Sequence, residues 1–191
     1  MSKKSVVLLS GTRKIELLPG EVREMIQEFA AKGWSFLVGD APGSDRAFQR
    51  FLAEHRVFNV TVYSSAQHVR NNIGSWSTRF IDSGLKSKTN AMHAAKDREM
   101  AEICDLSVAI WDGQSAGTLA NVLDVIDQGK VSYLYNFLEQ ELIKFDNKER
   151  LSNYLEAFPS VHEVAKRRLR RDKRRRDKMK GGPTELPDTL F

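Results

Sequence analysis

The chain has 191 residues, 41% of them hydrophobic, and a formal net charge of +5, enough for one α/β domain with an appendage and a sizeable core. No apolar run approaches the roughly 18–20 residues of a membrane span, and Val6–Leu9 is too short for a signal-peptide core; the sequence predicts a cytoplasmic protein with no membrane partner. The single cysteine, Cys104, excludes an internal disulfide and a cysteine-based zinc site, and His55, His68, His93 and His162 lack ligand spacing, so neither metal nor cofactor is expected.

The first 136 residues alternate strand and helix. Ser5–Leu9 reads as the first strand. A helix starts at Pro19-Gly20-Glu21 and runs to about Lys32, with Val22, Met25, Ile26 and Phe29 on one face, and Gly33 ends it. Trp34–Val38 is the second strand, Arg46–Glu54 the next helix and Asn59–Tyr63 the third strand. Ser64–Asn90 is a long insertion without a clear period. Loops of that length are usually functional lids or partly disordered. Its Arg70, Asn71, Asn72, Trp76, Arg79 and Phe80 suit either stacking on a base or ribose, or packing along the domain edge. A helix follows over Ala91–Cys104, then a strand Leu106–Trp111, a helix Thr118–Gln128 stopped by Gly129-Lys130, and a strand Val131–Tyr135. Short strands, apolar on both faces and separated by helices, predict a doubly wound parallel α/β sheet of about five or more strands. Asn147–Phe158 and Val161–Lys180 read as helices, and Gly181-Gly182-Pro183 breaks to a tail. The expected organisation is a domain over 1–145 and a helical, basic C-terminal extension over 146–191.

In an open parallel sheet, ligands collect beyond the carboxyl ends of the strands. Three loops fall there. Ser10-Gly11-Thr12-Arg13 offers small residues for close backbone approach and Arg13 for a phosphate. Gly39–Asp45, with Gly39, Asp40, Gly43, Ser44 and Asp45, offers a tight turn and partners for a ribose hydroxyl. Asp112, Gly113, Ser115, Gly117 and Thr118 run from a buried strand into a helix N-terminus, the backbone device that holds phosphate. Each loop is also open to reading as an ordinary strand-to-helix turn whose Gly, Ser and Asp form turns and caps, least so the third. Lys96 and Asp97, mid-helix, belong either to a solvated charged face or to a helix that brings Lys96 to a phosphate and Asp97 to a loop or ribose.

Together, strand–Ser-Gly-Thr-Arg, strand–Gly-Asp-Ala-Pro-Gly-Ser-Asp, Lys-Asp-x-x-Met and Trp-Asp-Gly-x-Ser-x-Gly-Thr resemble the SLOG superfamily over about residues 5–136. That group of Rossmann-like domains includes LOG-type nucleotide phosphoribohydrolases and the DNA-processing protein A domain; the chain looks most like its YspA-like members. The resemblance implies a nucleotide-type ligand, with Gly113–Thr118 on its phosphate and Gly39–Asp45 on the other side, and a homodimer. In the phosphoribohydrolases the glycine loop carries a catalytic Glu, and the matching position here is Asn121. An amide cannot act as an anionic base or stabilise an oxocarbenium-like centre, which argues against hydrolysis by that route.

The charge is concentrated at the other end. Val164–Lys180 holds eleven Lys or Arg against two Asp, a local charge of +9, which leaves −4 for the rest of the chain. Lys166, Arg167, Arg168, Arg170, Arg171, Lys173, Arg174, Arg175 and Arg176, with Lys178 and Lys180, point all round a helix, have no interleaved aromatic, and suit the backbone of DNA or RNA rather than base readout. Few apolar residues (Val161, Val164, Ala165, Leu169, Met179) offer a face to bury, and none lies between Leu169 and Met179. The favoured reading is a nucleotide-binding sensor or adaptor with a nucleic-acid-binding tail. The alternatives are an N-glycosidic or phosphoribosyl hydrolase, and a nucleic-acid-binding protein whose strand-end loops are purely structural.

Overall fold

A computed structural model of the chain describes the backbone of residues 4–65, 68–81 and 90–180, and side chains for 4–65, 68–81 and 94–174. One seven-stranded sheet organises them. Its strands are β1 (Val6–Gly11), β2 (Ser35–Gly39), β3 (Val60–Ser64), β4 (Ser77–Phe80), β5 (Leu106–Trp111), β6 (Val131–Asn136) and β7 (Glu141–Phe145), in the order β4-β3-β2-β1-β5-β6-β7. All neighbours are parallel except β6 and β7. The chain winds outward from β1 through β2, β3 and β4, then returns to the other side of β1 as β5. The order of connections therefore reverses between β1 and β5, the switch point at which open α/β sheets place their ligand crevice.

Helices α1 (Gly20–Ala31), α2 (Ser44–Glu54), α3 (Asn90–Ile103), α4 (Ala116–Asp127), α5 (Lys148–Tyr154) and α6 (Pro159–Lys180) cover both faces. Val7 and Leu9 of β1 face α1 and α2, with Val22, Ile26, Phe29 and Phe48. Leu8, between them, faces α3 with Met100, Ala101 and Cys104. Cys104 is buried there, and burial pushes its thiol up to about 11. Two-sided burial is what the uninterrupted apolar runs require.

Two strands depart from the sequence reading. The insertion after β3 carries edge strand β4, whose Thr61↔Ser77 to Ser64↔Phe80 register continues the parallel sheet. The segment after β6 turns through Gln140, at φ 52°, into antiparallel β7, so the sheet is not purely parallel.

The basic extension is docked on the domain rather than hanging from it. Asn147 caps α5 by accepting from the Arg150 N–H, a 3-10 turn at Leu155–Ala157 follows, and Pro159 opens α6 at the first helical position, where its missing N–H costs nothing. Leu151, Leu155 and Ala165 pack with Leu119, Val122 and Ile126 of α4 and with Trp111 of β5. Ala165 is fully buried and Asp172 nearly so, so the helix keeps a buried side beyond Leu169. The side chains of Arg175, Arg176, Lys178, Met179 and Lys180 and the tail 181–191 lie outside the described residues, as do 66–67 and 82–89 of the insertion.

Candidate functional site: the strand ends at the β1–β5 crevice

The loops after β1 and β5 form one hydrogen-bonded unit. The Thr12 N–H donates to the Ile110 carbonyl at 3.0 Å, and the Thr12 hydroxyl donates to Asp112 Oδ2 at 2.9 Å. Asp112 Oδ1 accepts from the N–H groups of Gln114 and Ser115 at 3.0 and 2.7 Å. Burial raises the Asp112 pKa, but these three donors outweigh it and hold the carboxyl below its ordinary value. Gly113 is buried, with the Leu138 side chain over it. The Trp111 indole N–H donates to the Ser115 carbonyl at 3.1 Å and ties the loop to the core.

Ser115 is the N-cap of α4. Its hydroxyl oxygen accepts from the Thr118 N–H at 3.3 Å and from the Thr118 hydroxyl at 3.0 Å. The N–H groups of Ala116 and Gly117 have no partner among the described residues, as expected for the first turn of a helix. A β-carbon at Gly117 would lie 2.8 Å from Arg168 Nη1. The absent side chain thus lets a guanidinium from α6 lie against the start of α4. Arg13 is exposed, and the Lys14 ammonium lies 4.0 Å from Asp112.

The loop after β2 is built inward. Ser10 is buried, and Gly11 lies flush against Ser44. The Ser44 hydroxyl donates to the Thr12 carbonyl at 2.9 Å and to that of Ile15 at 3.3 Å, and Gly43 is the N-cap of α2 against the Arg13 backbone. Asp40 is wholly buried. It accepts from the Ser64 hydroxyl and the Arg70 N–H and forms a two-pronged pair with the Arg70 guanidinium at 3.1 and 2.6 Å. Burial raises its pKa, but Arg70 prevails and holds it low.

Beside it lies a second charged group. A β-carbon at Gly39 would collide with Asp45 Oδ2 and come within 2.6 Å of Lys96 Nζ, so glycine here leaves room for both side chains. Lys96 is 4% exposed and donates to Asp97 at 2.8 Å. Of the two readings of Lys96, the solvated face does not occur. Asp45 accepts from the Ala41 N–H at 3.1 Å. Burial pushes its carboxyl up to about 6, against the pull of Lys96 and with the push of Asp97.

The insertion's polar residues make structure. Arg70 serves Asp40, and the Asn71 amide donates to the Asp40 carbonyl. Asn72 bonds Trp76 and Thr78, and the Trp76 indole donates to the Val57 carbonyl. Arg79 pairs with Glu99 at 2.6 Å. Phe80 remains half exposed.

Packing sorts the basic residues of α6. Lys166 pairs with Glu163, Lys173 with Asp127 at 2.7 Å, and Arg168 lies 3.9 Å from Asp172 and against Gly117. Arg167, Arg170, Arg171 and Arg174 are exposed. Their spacing is i, i+3, i+4, i+7, one exposed stripe along the helix.

No protein-family model matches the chain, and no curated protein matches it. A search of solved structures pairs it with DNA processing protein A from Helicobacter pylori, whose single-stranded DNA binding mode that structure addresses. The two are 15% identical, with 87% of this chain and 80% of that chain covered and a TM-score of 0.49. A likeness this distant assigns the chain neither ligand nor reaction.

Among the described residues no group of three His, Cys, Asp or Glu is placed to hold a metal ion, and no helix is long and apolar enough to cross a membrane. Two participants escape sequence reasoning. Arg70 as the partner of Asp40 is a contact between loops thirty residues apart. The placement of Arg168 follows from the docking of α6 on α4, which a helix with so few apolar residues does not advertise.

Proposed function

We propose that the chain binds a nucleotide or nucleotide-derived phosphate ligand at the β1–β5 crevice and a nucleic-acid backbone along α6, as a sensor or adaptor. The observation that carries this reading is the start of α4. Two N–H groups without partners among the described residues, at the positive end of a helix dipole, lie beside the Arg168 guanidinium at the point where the sheet's winding reverses. The motifs that resemble the SLOG superfamily fall on this edge. Support for the nucleic-acid half comes from the exposed arginine stripe. Like charges at i, i+3 and i+4 each disfavour the helix by a few tenths of a kcal/mol, and phosphates would relieve that repulsion.

Because Arg168 belongs to α6 and touches α4, the two ligands draw on one helix. Coupling must then be reciprocal: the nucleotide changes the affinity for nucleic acid by the factor with which nucleic acid changes the affinity for the nucleotide. Calorimetry with a panel of nucleotides, cyclic nucleotides and ADP-ribose derivatives tests the first half. Heat for at least one of them supports the reading, and no heat for any overturns it.

One observation favours a second reading, an N-glycosidic or phosphoribosyl hydrolase. Asp45, raised to about 6 beside Lys96, is a carboxyl with the proton affinity that acid–base chemistry uses near neutrality. Incubation of nucleoside monophosphates with the protein, followed by chromatography, decides it. Free base that disappears in Asp45→Asn supports hydrolysis, and no free base excludes it.

A further inference from the structure

We infer that the cavity between α4, α5 and α6 is a binding site for a phosphate group, separate from the start of α4 and lying at that helix's opposite end. The cavity has a volume of about 260 Å³. Leu123, Ile126 and Leu151 line it on the apolar side. Lys148 of α5 and Lys166, Arg170 and Lys173 of α6 converge on it, and the Ser152 hydroxyl adds a donor.

Charge decides what such a cavity holds. Asp127 is gripped by Lys148 at 3.0 Å and Lys173 at 2.7 Å, and Glu163 by Lys166 at 2.8 Å. Among the described residues Arg170 has no carboxylate within ion-pair distance. With Asp124 of α4 also facing Lys173, four cations meet three carboxylates among the described residues, a surplus of one positive charge. The C-terminal end of α4 contributes roughly half a negative charge, which reduces the surplus without reversing it. His162, also on the wall, adds no charge near neutrality, since burial and the neighbouring Lys166 lower its pKa.

Asp127 acts as a built-in counter-ion. It holds Lys148 and Lys173 over the cavity, and an entering phosphate shares or takes over those two ammonium groups while Arg170 supplies a forked guanidinium contact. The phosphate belongs either to a nucleic-acid strand lying on the arginine stripe, in which case this inference rests on the reading of α6 above, or to a small phosphorylated compound, in which case it stands alone.

The test uses the full chain with two probes, a short labelled single-stranded oligonucleotide read by anisotropy and inorganic pyrophosphate read by calorimetry. Two exposed-site variants, Lys148→Gln and Asp127→Asn, are compared with the wild type. Lys148→Gln is expected to weaken at least one probe by about threefold or more, and Asp127→Asn to tighten the same probe by a similar factor. An effect on the oligonucleotide alone identifies a strand phosphate, and an effect on pyrophosphate alone a small phosphorylated compound. The inference is overturned if neither probe binds, if Lys148→Gln changes neither, or if Asp127→Asn weakens the probe as Lys148→Gln does, because Asp127 would then only clip α6 to α4. Should the oligonucleotide fail to bind while pyrophosphate binding stays sensitive to Lys148, the cavity stands and the nucleic-acid reading of α6 falls.

Discussion

The Thr12 hydroxyl donates to Asp112 at 2.9 Å across one hundred residues of sequence. This bond locks the loop after β1 to the loop after β5, on the two sides of the sheet's switch point. The three hydrogen bonds received by the Asp112 carboxylate leave the Ser115 hydroxyl to cap α4 and the next two N–H groups without a partner among the described residues.

Asp112 should therefore carry acid sensitivity. Its folded pKa lies below its unfolded value, so its contribution is fully present above about pH 4 and is lost as pH falls through the folded pKa. Asp112→Ala is expected to cost about 1–2 kcal/mol at neutral pH and to flatten the stability profile below pH 4. Chemical denaturation at a series of pH values checks both.

Asp45 should act in the opposite direction. Its folded pKa, about 6, lies above the unfolded value of 3.8, so the protonated form is the better folded one. Stability is full below about pH 4 and declines as pH rises from there to about 6. Measured against Asp45→Asn, wild-type stability should fall across that window and then level off. A difference independent of pH would mean that Asp45 is not raised.

Most of the sheet was legible in the sequence, because β1, β2, β3, β5 and β6 are apolar runs bounded by turns. Edge strand β4 was not: Ser77-Thr78-Arg79-Phe80 is exposed or half-buried and has no apolar face to read. β7 reads Glu-Leu-Ile-Lys-Phe, with only Phe145 fully buried, and gives a similarly weak signal. At the site, the three strand-end loops were legible as loops, since Gly, Ser and Asp mark them whether they bind a ligand or merely turn. Their division of labour was not. In sequence Asp40 reads as a loop residue and Lys96 is open to reading as a surface charge, and only the folded contacts with Arg70 and Asp97 make their burial affordable.

Gly117→Ala separates binding from stability. Alanine in the first turn of α4 is the better helix former by up to about 1 kcal/mol, but its methyl group would push the Arg168 guanidinium aside. Thermal stability should hold or rise while nucleotide affinity falls by about threefold to tenfold. Equal affinity in mutant and wild type would remove Arg168 from the site.

Replacing Arg167, Arg171 and Arg174 together with Gln should leave the fold intact, because all three are exposed. If α6 tracks a nucleic-acid backbone, the triple variant binds more weakly at every sequence tested, and its salt dependence becomes shallower by about two to three in the logarithmic slope. Anisotropy titrations at several salt concentrations measure this directly.

The most direct test of the nucleotide site is amide NMR of the full chain during titration with the nucleotide that gives the largest calorimetric heat. The largest shifts are predicted for the N–H signals of Ala116 and Gly117, with smaller ones at Thr12 and Arg13. Shifts that leave Ala116 and Gly117 in place, or fall only along α6, would contradict a phosphate site at the β1–β5 crevice.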